Sequence, residues 1–165
     1  MKRIIGVIIL CLIVGVGAYY GSLYLDKLNK GGEVNLTVTF DDTETYTIPN
    51  VSKIDKEKAL EEWPYMMEVS NTGNGKGLYQ IIITDTDKST IKRDKLEYLL
   101  KLDDKEVTSG KLDSIKDNVL YIGEIDGNTK QKYKLYIWVT SEVSEKDIYE
   151  YRLEFNTIKS GGPGF

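Results

Sequence analysis

The sequence contains no histidine, and its single cysteine, Cys11, lies inside a long apolar run. Without an imidazole the chain has no Ser/His/Asp or Cys/His catalytic site, and it lacks the histidine and cysteine ligands on which zinc and haem sites are built. One cysteine also excludes an internal disulfide. Carboxylate, lysine, tyrosine and hydroxyl side chains are therefore the groups left for a reactive site.

Basic residues are outnumbered in the main part of the chain, which argues against nucleic acid as a partner. The 165 residues carry 22 basic and 26 acidic side chains, a net charge of −4. Residues 1–30 hold four basic side chains and one acidic one, a balance of +3, so −7 remains for residues 31–165. Nucleic-acid binding needs clustered lysine and arginine side chains to replace counterions on the phosphates. We therefore predict no nucleic-acid partner.

One long apolar segment, residues 4–20, contains no charged or strongly polar side chain. Continued through Leu23, it would form a helix about 30 Å long, enough to cross a bilayer core. Two basic residues precede it and are expected to stay in the cytoplasm, while tyrosines follow it where lipid headgroups lie. The segment predicts a single-pass membrane anchor over residues 1–25, a connector over 26–32, and an extracellular C-terminal domain at the cell membrane.

Two other interpretations of this segment stay open. A cleaved signal peptide would use residues 4–14 as its apolar region and the small residues at 16–18 as its exit, and it would still export the domain. A pilin-like subunit is indicated by the segment Lys2-Arg3-Ile4-Ile5-Gly6, after which the apolar run continues, although the acidic residue that such helices usually carry near their processed end is missing. The anchor is favoured over cleavage because the apolar run continues past the candidate exit.

The apolar pattern changes to alternation after residue 32, and this period of two predicts β-strands. One short helix is predicted among them, because Asp55 is suited to cap its N-terminus and Pro64 to end it. Turn-forming residues, such as those at 71–75, separate the strands. Eight strands are predicted, over residues 34–40, 46–48, 63–69, 78–84, 96–102, 119–125, 133–139 and 149–155.

These strands predict an all-β fold: an antiparallel β-sandwich, Ig-like or jelly-roll, over residues 33–158, with a flexible tail over 159–165. Greek-key connections are expected between the strands. A small closed barrel is the alternative, because the number of strands does not separate the two architectures. The segment Asp126-Gly127-Asn128 predicts a hairpin between the strands on either side of it.

Aromatic residues are expected to fill the core rather than to form a binding platform. Nine of the twelve tyrosines lie beyond residue 25, mostly at alternating strand positions, where aromatic side chains are good strand formers and core fillers. Trp63 and Trp138 are also expected in the core. Because the strand around Trp138 is apolar on both faces, we expect it in the centre of a sheet.

Acidic residues are the candidates for a metal or catalytic site. Asp85 and Asp87 begin like a calcium loop, but Thr90 stands where the loop needs glycine, and Glu97 comes one place after the position that needs glutamate. The pairs Asp41-Asp42 and Asp103-Asp104 lie in predicted turns, where solvated carboxylates are common, and no spacing selects two acids for glycoside hydrolysis. We therefore predict no catalytic, cofactor-binding or metal-binding residues and no cofactor.

Several segments combine into a recognisable pattern: an N-terminal apolar run, residues 34–39, residues 69–74 before 78–83, and residues 125–129 before 133–138. In these segments the chain resembles the exported, single-anchor surface proteins of Gram-positive bacteria, including the TasA/camelysin group of matrix-fibre proteins. The resemblance implies an Ig-like or jelly-roll domain and a non-catalytic surface or fibre role. Camelysin has been called a metalloprotease, but this sequence has no histidine and so no HExxH motif.

The predicted function is that of a membrane-anchored extracellular structural or adhesive module that acts by protein binding or assembly. A sheet edge is the expected contact, because another chain can add a strand there through main-chain hydrogen bonds. The first strand, residues 33–40, follows Gly31-Gly32 and is expected to exchange with or recruit another chain. The alternatives are an exported hydrolase that uses a carboxylate pair, and a pilin-like or matrix-fibre subunit.

Overall fold

The computed structural model describes residues 32–40, 45–48 and 51–158, and in these ranges the chain forms nine strands and four short helices. The strands are β1 (Leu36–Phe40), β2 (Thr45–Thr47), β3 (Tyr65–Asn71), β4 (Gly77–Asp85), β5 (Leu96–Leu102), β6 (Lys105–Lys111), β7 (Val119–Ile125), β8 (Thr129–Val139) and β9 (Glu150–Ile158). The helices are α1 (Lys56–Ala59) and three 3₁₀ turns, Arg93–Lys95, Leu112–Ser114 and Lys116–Asn118.

The strands form two sheets, with the orders β1-β3-β8-β5-β6 and β2-β9-β4-β7. Every ladder between neighbouring strands is antiparallel. In the described residues only β5 and β6 are consecutive in the chain and also paired, so each other connection passes from one sheet to the other. The prediction of an antiparallel β-sandwich is thereby confirmed in its general form, and the closed barrel is not observed.

The core lies between the sheets, where alternate side chains of each strand point inward. Tyrosines supply much of it: Tyr79, Tyr133, Tyr149 and Tyr151 are among the largest fully buried side chains. The Tyr79 and Tyr133 hydroxyls hydrogen-bond to each other, and the Tyr79 hydroxyl also donates to the Gln131 side-chain oxygen. Burial raises the pKa of Tyr79 to about 12. The prediction that tyrosines fill the core is confirmed.

A second, smaller apolar cluster lies on the outer face of the larger sheet. Trp138, Leu99 and Ala59 are buried there, beneath helix α1, whose first turn is capped by the Asp55 carboxylate accepting from the Lys58 amide at 3.0 Å. Trp138 is 3% exposed, and β8 is the middle strand of the five-stranded sheet. Both predictions about Trp138 are therefore confirmed.

The prediction for Trp63 is wrong, since its side chain is 88% exposed. The alternation predicted to begin at Trp63 begins in fact at Tyr65, after α1 has ended and Pro64 has intervened. Trp63 thus lies in the connection between the helix and β3 rather than on the inward face of a strand.

One turn differs from its prediction, and a second, predicted only as a turn, closes a hairpin. Asp126-Gly127-Asn128 does not close a hairpin, because β7 and β8 belong to different sheets and the turn carries the chain across the sandwich. The tight hairpin is instead the β5–β6 connection, in which Leu102 pairs with Lys105 and both intervening aspartates, Asp103 and Asp104, have positive φ (46° and 68°). Positive φ at both loop positions is what a two-residue hairpin requires. Strand β6 itself was not predicted, because its sequence is polar.

Several predictions fall on residues outside the described ranges. These are the membrane anchor over residues 1–25 with its apolar segment at 4–20, the connector up to residue 31, the pair Asp41-Asp42, and the tail over 159–165. Within the described ranges, the helices are all too short to span a bilayer.

Candidate functional site

The acids of the predicted calcium-like loop take part in a structural network. The Arg93 Nε lies 2.9 Å from both carboxylate oxygens of Asp85, and the Tyr149 hydroxyl donates to the Asp85 Oδ1 at 2.7 Å. Arg93 also donates to the Ile83 carbonyl at 3.0 Å. Burial and the neighbouring carboxylate raise the pKa of Tyr149 far above its usual value. Asp87 is exposed and does not join this network. The arrangement ties the 3₁₀ turn before β5 to the end of β4.

The acid pair Asp103-Asp104 is accounted for by the hairpin turn that it forms. The Lys134 ammonium donates to Asp104 at 2.7 Å across the sheet, and this bond holds the pKa of the carboxyl below its usual value. Among residues 32–40, 45–48 and 51–158, no three or more acidic or cysteine side chains are grouped so as to hold a metal ion. The described acids are therefore distributed over turns and surface ion pairs.

Strand β1 is the feature that distinguishes one part of the surface from the rest. Among the described residues it lies at an edge of the five-stranded sheet and pairs with β3 alone, from Leu36 opposite Asn71 to Phe40 opposite Met67. The Thr72 amide donates to the Asn35 carbonyl at 3.0 Å, so the odd-numbered residues of this segment bond towards β3. Because the bonding direction alternates along a strand, the main-chain groups of Leu36, Val38 and Phe40 point away from the sheet.

The buried side chain of Asn71 holds the beginning of β1 in place. Its Oδ1 accepts from the amides of Gly73 at 3.1 Å and Asn35 at 3.3 Å. Its Nδ2 donates to the carbonyls of Gly75 at 2.7 Å and Asp126 at 3.3 Å. One amide therefore joins the segment before β1 to the β3–β4 and β7–β8 turns.

Glycines allow the backbones around Asn71 to approach this closely. A Cβ at Gly73 would lie 1.9 Å from the Glu33 carbonyl oxygen, and a Cβ at Gly75 would lie 2.1 Å from the Gly32 carbonyl oxygen. The Gly75 amide also donates to the Glu33 carbonyl at 3.0 Å. The segment before β1, residues 32–35, is here called its root. This root packs directly against the β3–β4 turn, and it fixes β1 to its own sheet at this end.

The other edge strands carry features that discourage pairing with a further strand. Strand β2 has only three residues. Strand β6 begins and ends with lysine, is bulged opposite Leu100 and Lys101, and contains Gly110 at φ 150°. In β7 the Glu124 carbonyl already accepts from the Gln131 Nε2 at 2.9 Å. Charges, bulges and covered main-chain groups are the devices by which proteins protect sheet edges.

Strand β1 has none of these protections within the described part of the chain. Its sequence, Leu-Thr-Val-Thr-Phe, contains no charge, proline or glycine, and its ladder to β3 runs without a bulge. Sequence reasoning selected this segment from its alternation and its place after two glycines. It missed the contribution of Asn71, whose sequence signal was limited to its place beside the glycine-rich turn at 71–75.

Comparisons with known proteins supply no relative for this chain. No protein-family model, curated protein or solved structure matches it. The resemblance to the TasA/camelysin group therefore stays a prediction, and the functional argument depends on the β1 edge and its surroundings.

Proposed function

We propose that this protein is a membrane-anchored extracellular structural or adhesive module, an Ig-like or jelly-roll β-sandwich that acts by protein binding or assembly and not by catalysis. The observation that carries the proposal is the edge formed by β1, a regular, uncharged strand whose outward main-chain groups have no partner strand in the described residues. An edge of this kind offers donors and acceptors at the spacing of a further β-strand.

The location at the cell surface is supported by the sequence of residues 4–20, which is long and apolar enough for a membrane span. An anchor of this kind ends close to the start of the folded domain. The β1 edge would then lie on the extracellular side, near the membrane surface.

The hydrolase alternative is less well supported by the positions of the acids. Several described carboxylates are engaged by lysines instead of by a second acid, as in the ion pairs Lys134–Asp104, Lys130–Glu68 and Lys56–Glu106. An acid-pair hydrolase needs two carboxyl groups facing each other across a cleft, with one pKa raised. The pKa values of all three carboxyls are lowered, those of Glu68 and Asp104 chiefly by the lysine hydrogen bonds and that of Glu106 first by the Ser109 hydroxyl.

Site-specific photo-cross-linking in intact cells tests the proposed function. A photoreactive residue is placed at Thr37, which is exposed on β1, and as a matched control at Ser109, which is exposed on the opposite edge strand β6. We expect Thr37 to give one defined protein adduct, identified by mass spectrometry, and Ser109 to give none.

The same cells are assayed for hydrolysis of casein and model glycosides. Equal adducts from both edges would contradict binding through β1. Turnover that disappears when a single acid is replaced by its amide would contradict the non-catalytic role and favour the hydrolase.

A further inference from the structure

The outward main-chain groups of β1 bond to no other strand within residues 32–40, 45–48 and 51–158, and they have the spacing that an added β-strand requires. Leu36, Val38 and Phe40 each direct an N–H and a C=O away from β3, so six groups face outward along the edge. In an antiparallel ladder, each hydrogen-bonded residue pair exchanges two bonds. Three such pairs would satisfy all of these groups.

The sequence of β1 is nearly symmetric about its central residue, Val38. Leu36 and Phe40 lie two residues before and two residues after Val38, and both side chains face the core. Thr37 and Thr39 lie directly before and after Val38, and both are exposed. Reading the strand backwards therefore gives the same order of apolar and hydroxyl side chains. An antiparallel copy of the strand placed against its edge would keep its apolar side chains on the core face.

We propose that two copies of this chain pair through their β1 strands, antiparallel and about a two-fold axis at Val38, to form one continuous ten-stranded sheet. This rests on the proposed function and names the partner for the β1 edge. In this register Val38 lies opposite Val38 of the other chain, and Leu36 lies opposite Phe40 of the other chain. The three hydrogen-bonded pairs use the six outward groups of each edge.

The neighbouring strands fit this register without opposing like charges. On the core face, the row through Val38 continues into Val69 of β3 on both sides, which extends a purely aliphatic row across the interface. On the outer face, Thr39 lies beside Glu68 in its own chain, and the copy presents Thr37 and Ser70. Like charges directly opposite each other destabilise a sheet, and this arrangement has none at the junction.

Pairing is favoured over strand exchange because β1 is fixed at its root. Asn71 bonds to the segment before β1, and glycine-mediated backbone contacts hold the same segment against the β3–β4 turn. Removing β1 from its own sheet would break these contacts, whereas adding a strand to its free side leaves them intact.

Disulfide trapping in the full chain, with Cys11 replaced by alanine, tests the register. In the proposed dimer, Thr37 lies opposite Thr39 of the partner in a non-hydrogen-bonded pair, with Cα atoms about 4.5 Å apart and within reach of a disulfide. Two copies of Thr37 are diagonal neighbours, about 7–8 Å apart and beyond that reach. Mixing Thr37→Cys with Thr39→Cys should therefore give a linked dimer at least about tenfold faster than either variant alone.

Proline variants provide the second arm. Val38→Pro removes an outward N–H, and edge strands tolerate such a proline, so the variant should keep its thermal midpoint near that of Val38→Ala while losing the dimer. Thr37→Pro removes an N–H that bonds to β3 and should lower the thermal midpoint.

Three results would overturn the self-pairing. They are equal trapping rates for all combinations, faster trapping of Thr37→Cys with Ser109→Cys on β6, and an unchanged dimer in Val38→Pro. An adduct of Thr37 with a different protein, without the mixed disulfide, would overturn the self-pairing and leave the proposed function standing. Absence of both the adduct and the disulfide would overturn both.

Discussion

Replacing Asn71 tests whether one buried amide holds the β1 edge in place. Asn71→Ala removes four hydrogen bonds, of which those with the Gly75 carbonyl (2.7 Å) and the Gly73 amide (3.1 Å) are buried. Each buried group left without a partner costs about 1–3 kcal/mol, so these two lower the free energy of unfolding by about 2–6 kcal/mol. That is a large part of the stability of a typical domain.

Urea unfolding of the full chain in detergent, followed by tryptophan fluorescence, measures this loss. Trp138 is buried and Trp63 is exposed, so the change in emission reports mainly on Trp138. Asn156→Ala is the matched control, because Asn156 is exposed on β9 and its replacement should change the free energy by less than about 0.5 kcal/mol. Equal urea midpoints for the two variants would refute the role assigned to Asn71.

Asn71→Asp refines the test, because it keeps the acceptor and replaces the donor with an oxygen facing two carbonyls. Burial and these carbonyls should raise the pKa of the new carboxyl above its unfolded value of about 3.9. The protonated carboxyl then contributes fully to the stability of the variant below about pH 3.9, and this contribution is lost as the pH rises through the higher pKa of the folded state. A variant whose deficit relative to the natural chain does not grow between pH 4 and pH 7 would contradict this environment.

Two further predictions concern the core and the pH dependence of stability. Trp138→Ala should lower the free energy of unfolding by about 3–5 kcal/mol, whereas Trp63→Ala should change it by less than about 0.5 kcal/mol; similar urea midpoints would contradict the assigned burial. Bonds from Thr86 and then from Lys88 hold the pKa of Glu150 below its ordinary 4.5, so its stabilisation is present above pH 4.5 and falls as the pH drops through the lowered pKa. Glu150→Gln should reduce this acid sensitivity in thermal melts from pH 3 to pH 7, and an identical profile would exclude the contribution.

The strands that carry a local signal were predictable from the sequence. Alternation of apolar and polar residues identified eight strands, and the apolar character of both faces identified β8 as central. This works because a half-buried strand must alternate with period two whatever its partners are. Strand β6 lacked the signal, because at a polar edge few side chains need to be apolar.

The sequence predicted that residues 33–40 form a strand able to recruit another chain, but it did not identify the position of this strand in a sheet. Whether a strand lies at an edge depends on which other strands pair with it, and these pairs are distant in sequence, as with Asn71 opposite Leu36. The fixed root of β1 was also not foreseen, since it needs Asn71 and the turn at Asp126 to meet in space.

The sequence by itself determined the β character of the domain, the burial of Trp138 and the lack of histidine-based chemistry, because each depends on residue type or on a local period. Only the tertiary structure decided which turns cross the sandwich, why Trp63 is exposed, and that β1 has no strand on its outer side in the described part of the chain. Asp126-Gly127-Asn128 and Asp103-Asp104 both favour turns, and yet only the second closes a hairpin. The physical reason is that a turn fixes the local direction of the chain, while the burial of each strand's apolar face selects the sheet that the strand joins.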